Sequence, residues 1–147
     1  MPLSKPPFYQ QETPDSCVPA CLRMVLAGLG MTITEAELRR LCDCTIDGTR
    51  ALPALDAVRS LGFLKSSKQT LAFGELTELL EQGHYPIVFV EMYPIDGIYQ
   101  IHALVILSIS EFTVQVYDPA RGERLIAPDI FNVAWKLRHH LALIVEP

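Results

Sequence analysis

"QIHALVILSISEFTVQVYDPA", residues 100–120, decides how this chain folds. Two apolar runs flank a polar break at Ser110-Glu111, which predicts two strands joined as an antiparallel hairpin. His102 interrupts the first run and Asp118 ends the second. In such a hairpin the numbers of facing residues sum to a constant. A three-residue loop at Ile109-Ser110-Glu111 pairs Ser108 with Phe112, a sum of 220, which is also the sum for His102 and Asp118. The two side chains are then expected to face each other with Cβ atoms about 5 Å apart. A two-residue loop would move the register by one and send them to opposite faces.

Before the hairpin, helices are expected. "SCVPACLRMVLAGLG" carries apolar residues at Cys21, Leu22, Val25, Leu26 and Leu29, one face of a helix. Asp15 or Ser16 can cap it, Pro19 falls in its first turn, and Gly28 and Gly30 end it. Thr34-Glu35-Ala36-Glu37 forms a capping box for a second helix to about Leu41. "CDCTIDGTRA" is a loop, "LPALDAVRSLGF" a third helix and "FGELTELLEQG" a fourth. "YPIVFVEMY" reads as a strand buried on both faces. After the hairpin come a short strand in "ERLIAP", a helix in "PDIFNVAWKL" and a closing strand in "LALIVEP". Helices followed by a mostly antiparallel sheet make an α+β chain, with the helix of Cys17 packed on the sheet.

The chain has 147 residues, is half hydrophobic and one-fifth charged, and is expected to be a single domain, 1–147, with an extended N-terminal segment over 1–10. A net charge of -5 without a Lys/Arg cluster argues against a nucleic-acid partner. No apolar run approaches the ~18 residues of a membrane span. The N-terminus lacks the apolar core of a secretory signal, so a cytoplasmic location is expected. Phe8 and Tyr9 either dock on the domain or belong to a tag or linker.

Four cysteines stand at 17, 21, 42 and 44. The spacings Cys-x3-Cys and Cys-x-Cys are not zinc knuckles, and neither a metal nor a cofactor is expected. Cys21 shares the apolar face of its helix and reads as core. Cys17 sits in the first turn, where unpaired N–H groups and the helix dipole favour a thiolate. Such a thiol is a nucleophile only beside a base. His84, His139 and His140 read as surface residues. His102, inside an apolar strand, is either a core histidine with one hydrogen bond or that base. Asp118 would fix its tautomer and support the imidazolium; otherwise it is a turn residue before Pro119. Oxyanion donors are the Cys17 backbone N–H and a side-chain amide from the preceding segment, Gln10 or Gln11. Trp135 and Tyr93 fit core and cleft equally well.

Together these residues resemble the papain-like cysteine peptidases that process double-glycine leaders of bacteriocins and related peptides. The motif of that family is a Gln, four residues, an acidic residue and Cys-Gly. "QETPDSC" supplies Gln11 and Cys17, "HALVIL" supplies His102, and "DPARG" supplies Asp118. "DGTRALPALDAVRSLGF" matches the Gly-Thr/Ser segment and the helix after it. The resemblance implies a papain-like fold, Cys17 as nucleophile, His102 as general base and acid, Asp118 as orienter and Gln11 as oxyanion donor. It also implies a peptide or protein substrate and association with an ABC transporter, although the chain has no Walker A loop. Two departures stand out. Ser16 occupies the acidic position, with Asp15 displaced by one, and Val18 replaces the glycine. Val18 narrows the approach to the cysteine, so specificity is expected to differ. The competing readings are a papain-like effector or toxin that cleaves or deamidates another protein, and a non-catalytic peptide-binding domain of a transporter system.

Overall fold

The computed structural model describes residues 5–147. The expected extended segment lies partly, over 1–4, outside these residues; from 5 to 10 the chain forms neither helix nor strand. This stretch docks on the body of the protein. The Phe8 ring meets Tyr117 edge-on at 5.4 Å, the Tyr117 hydroxyl donates to Pro6 O at 2.8 Å, and Arg23 lies 3.9 Å from the Tyr9 ring centroid.

Helix α1 spans Cys17–Gly28, α2 Glu35–Leu41 and α3 Ala51–Ser60. Strand β1 spans Ser67–Thr70, α4 Phe73–Glu81, β2 Ile87–Glu91 and the single turn α5 Tyr93–Asp96. Then come β3 Ile101–Ile109, β4 Val114–Asp118, β5 Gly122–Ile126, α6 Pro128–Lys136 and β6 Leu141–Ile144. The strands form one sheet in the order β1-β6-β2-β3-β4-β5, antiparallel throughout.

The expected elements are present, with two additions. Strand β1, "SKQT", is polar, mostly exposed and four residues long. It has no apolar alternation to betray it, because it lies at the sheet edge and pairs only with β6. Turn α5 closes on Gly97, whose φ of 73° suits glycine.

Two cores cover the two faces of the sheet. α1, α2 and α3 pack Leu22, Leu26, Leu38 and Val58 against Ile87, Phe89, Ala103 and Val105. α4 and α6 pack Leu76, Phe131 and Trp135 against Val88, Val90, Leu104 and Ile106. Alternate residues of β2 and β3 thus serve different cores, which is why these strands read as continuous apolar runs. Trp135 is fully buried and donates to Leu141 O at 2.9 Å; Tyr93 is exposed and stacks on Tyr99 at 4.4 Å.

The hairpin register differs from expectation. The connection is a two-residue loop, Glu111-Phe112, closed by the Ser110 N–H on Thr113 O at 2.8 Å. Ile109 pairs with Val114 and Ser108 with Gln115, a sum of 223. Leu107 then forms a β-bulge, and below it Ile106 pairs with Val116 and Val105 with Tyr117, a sum of 222. Carried one step further, this register sets Asp118 against Leu104. His102 is therefore its diagonal neighbour, two residues along, rather than its facing partner. The short loop alone would have put the two side chains on opposite faces. The bulge restores the parity.

Candidate active site

Three elements deliver the candidate residues to one place. α1 begins at Cys17, and the N–H groups of its first turn have no partner within the helix. His102 is the second residue of β3, and Asp118 is the last of β4. The β3–β4 ladder ends at Val105 and Tyr117. Beyond it the segment before α1 lies on the turn after β4, the Gln11 N–H donating to Pro119 O at 2.8 Å.

His102 and Asp118 are both buried and make a hydrogen bond of 2.7 Å between Nε2 and Oδ1. That contact leaves Nδ1 of the ring for the Cys17 side. Burial disfavours the charged ring, but the Asp118 carboxylate, with Cys17 beside it, prevails and pushes His102 up to about 9. Burial likewise disfavours the Asp118 carboxylate. Against it, His102, the Ala120 N–H and Arg124 hold the carboxyl well below the usual carboxylate range.

Asp118 has further partners that sequence reasoning missed. Its Oδ1 also accepts the Ala120 N–H at 2.9 Å, while Oδ2 accepts Nη1 of Arg121 at 3.2 Å and Nη1 of Arg124 at 3.1 Å. Arg124 is itself held by the Asp96 carboxylate at 2.6 and 2.9 Å. A charged residue on a polar strand at the sheet edge is ordinary, so Arg124 gives no signal in the sequence.

Gln11 is brought to the same end of the sheet by its backbone. Its side-chain Nε2 donates to Thr13 O at 2.8 Å, and its Oε1 is buried without a hydrogen-bond partner among the described residues. Its second amide N–H has no partner among the described residues. Ser16 is fully buried, but its hydroxyl caps no helix: it donates to Thr13 O at 3.1 Å and accepts the Thr13 N–H at 3.0 Å.

The other cysteines stand apart from this chemistry. Cys21 is fully buried, and burial together with the charges of Cys17 and Asp118 pushes its thiol well above the usual range. Burial, Cys44 and Asp43 raise Cys42 to about 12. Cys44 is half-buried and its Sγ donates to Asp15 O at 3.6 Å. Among the other histidines, His139 is exposed, as expected for a surface residue. His84 is half-buried and lies 2.9 Å from Glu146. His140 is half-buried too, 4.6 Å from the Trp135 ring, with Nε2 buried and without a hydrogen-bond partner among the described residues.

Cys17 and His102 open onto one cleft of about 430 Å³. Val18, Phe89, Ile101 and Leu141 supply apolar wall, and Arg50, Arg138 and Asp47 bring charge to it. The Thr49 hydroxyl oxygen, on the same wall, is buried without a hydrogen-bond partner among the described residues. A thiol at a helix start and a buried ring held by a carboxylate thus line one cleft.

A sequence profile described as the peptidase C39 family matches residues 5–147. The Lactococcin-G-processing and transport ATP-binding protein LagD of Lactococcus lactis is 28% identical over 128 residues, which is 87% of this chain but 17% of LagD. A double glycine motif protease from an AMS/PCAT transporter, solved in complex with the leader peptide, superposes with a TM-score of 0.81 at 22% identity, covering 99% of this chain and 94% of that one. The peptidase domain of Streptococcus ComA, described as a bi-functional ABC transporter involved in quorum sensing, gives 0.79 at 25% identity, covering 95% and 96%. The six-stranded antiparallel sheet with its helices is the fold of these structures.

Proposed function

The chain belongs to the peptidase C39 family, and on that premise we propose that it is one catalytic unit hydrolysing peptide bonds through Cys17, His102, Asp118 and Gln11. The observation that carries the assignment is the buried 2.7 Å contact of His102 with Asp118, on a ring that shares its cleft with Cys17.

The chemistry follows from that geometry. Cys17 Sγ attacks the scissile carbonyl carbon, and its proton resides on His102. The developing oxyanion accepts hydrogen bonds from the Cys17 backbone N–H and the free N–H of the Gln11 amide. The tetrahedral centre collapses, the C–N bond breaks, and His102 gives its proton to the departing amine. Water then attacks the thioester, His102 takes a proton from it, and Cys17 leaves as the thiol(ate) while the acid is released. Asp118 keeps the ring in the tautomer that presents Nδ1 to sulfur and steadies its positive charge.

The relatives supply the substrate class. LagD is a processing and transport protein, and the protease of the AMS/PCAT transporter binds a leader peptide and recognises a double glycine motif. We extend this to the present chain: it cleaves a leader after two small residues, in partnership with an ABC transporter. Incubation with a peptide carrying a Gly-Gly junction tests the reading by mass spectrometry. Cleavage after the second glycine that disappears in Cys17→Ala supports it. Cleavage unchanged in Cys17→Ala removes its basis.

A further inference from the structure

Glu35 is a carboxylate with no place in the reaction, yet it is buried to 1% exposure. It opens α2, and as the residue after the Thr34 cap it had every opportunity to face solvent. Instead it turns under the segment that carries Gln11. Its two oxygens accept the Glu12 N–H at 3.0 and 3.2 Å. Arg39 Nε stands 3.5 Å away, one turn along the same helix. Burial pushes the Glu35 carboxyl above its usual range, with the Glu12 N–H, Ser16 and Arg39 acting in the opposite direction. A buried carboxyl costs free energy unless hydrogen bonds and a nearby cation compensate it.

What it holds is the peptide next to Gln11. Two successive N–H groups are pinned by two different elements: that of Gln11 by Pro119 O on the sheet side, and that of Glu12 by Glu35 on the helix side. Together they fix the plane and direction of the backbone from which the Gln11 amide projects.

We propose that Glu35 is a positioning residue: through the Glu12 N–H it aims the Gln11 amide at the oxyanion. The proposal rests on the assignment of Gln11 as oxyanion donor.

Two reactions of the same thiol separate this role from a general structural one. Hydrolysis of an N-acetyl-Gly-Gly p-nitrophenyl ester passes through an oxyanion. Alkylation of Cys17 by iodoacetamide does not, and reports only on the thiol and His102. Glu35→Ala is expected to lower kcat/KM for the ester by about 10- to 100-fold. Alkylation should stay within about twofold and keep its pH profile, which also shows that the variant is folded. Glu35→Gln keeps an oxygen for the Glu12 N–H and should recover to within about threefold of the parent. In a Gln11→Ala background, Glu35→Ala should add less than about twofold. The proposal is overturned if alkylation slows in parallel with ester hydrolysis. It is equally overturned if Glu35→Gln is as slow as Glu35→Ala, or if Glu35→Ala costs as much without Gln11 as with it. Failure of the catalytic reading itself looks different, as an ester rate that survives Cys17→Ala.

Discussion

His102 and Asp118 are diagonal neighbours across the β3–β4 hairpin, joined by a 2.7 Å hydrogen bond between Nε2 and Oδ1. The diagonal has a chemical use. The imidazole reaches along the sheet to its carboxylate, and its other nitrogen is left for the sulfur.

The first prediction concerns that bond. Asp118→Asn is expected to lower kcat by about 10²- to 10⁴-fold, because the ring loses both its orientation and the charge that favours its proton. With Asp118 the imidazolium persists to about pH 9; without it, burial dominates, and the basic limb of the pH-rate profile moves down toward the ordinary 6.5 or below. Stability follows the same sign. A raised histidine contributes stability that is fully present below its unfolded value of 6.5 and is lost as pH rises through about 9. Thermal melts of the parent between these values should fall more steeply than those of Asp118→Asn.

Arg124 should matter although it touches neither the sulfur nor the imidazole. Arg124→Met removes one of two guanidinium contacts to Asp118 Oδ2 and leaves Asp96 with Arg121 at 3.4 Å. The expected cost is about 2 kcal/mol of stability and about tenfold in kcat/KM. Asp118, held low in the parent, contributes stability present above its unfolded value and lost as pH falls through its folded one. Its carboxyl rises in the variant, so acid unfolding should begin at higher pH. Arg124→Lys should not restore activity, since one ammonium cannot span both Asp96 and Asp118.

The four thiols provide a third test. Cys17 should react with iodoacetamide at neutral pH ahead of Cys21 and Cys42, whose burial pushes their thiols up. Cys44, half-buried like Cys17, is the informative competitor. Peptide mapping after brief labelling should find Cys17 modified first, and the preference should vanish in His102→Ala. Equal labelling of Cys17 and Cys44 would leave the nucleophile unsupported.

Val18 lines the cleft with its side chain 2% exposed and packed in the core under α1. Val18→Gly should destabilise by about 2 kcal/mol through lost burial and helix propensity. It should also broaden the residues tolerated beside the scissile bond, read as a flatter ranking of kcat/KM across a peptide series.

Much of this architecture is legible in the chain because alternation and helical periodicity are strong in the elements that serve the two cores. Strand β1 is illegible, being a polar edge. The hairpin pattern predicts His102 facing Asp118, whereas the two meet on the diagonal of a different register. Neither the two-residue turn nor the bulge at Leu107 has a residue signature, and their effects on side-chain direction offset each other. The clamp on Asp118 and the role of Glu35 were illegible for another reason. Both depend on which surface charges the fold happens to cover, and that is a property of packing between distant segments.

The bulge at Leu107 also limits how the gene for such a protein can change in length. One codon lost or gained in the Glu111-Phe112 turn, or at Leu107, reverses the direction of every side chain from Ile101 to Ile106. Two such changes, one at each place, leave those directions as they were. Length variation in this hairpin should therefore be found in compensated pairs, and a library of single-codon insertions and deletions across 107–112 should be inactive where its double mutants are not.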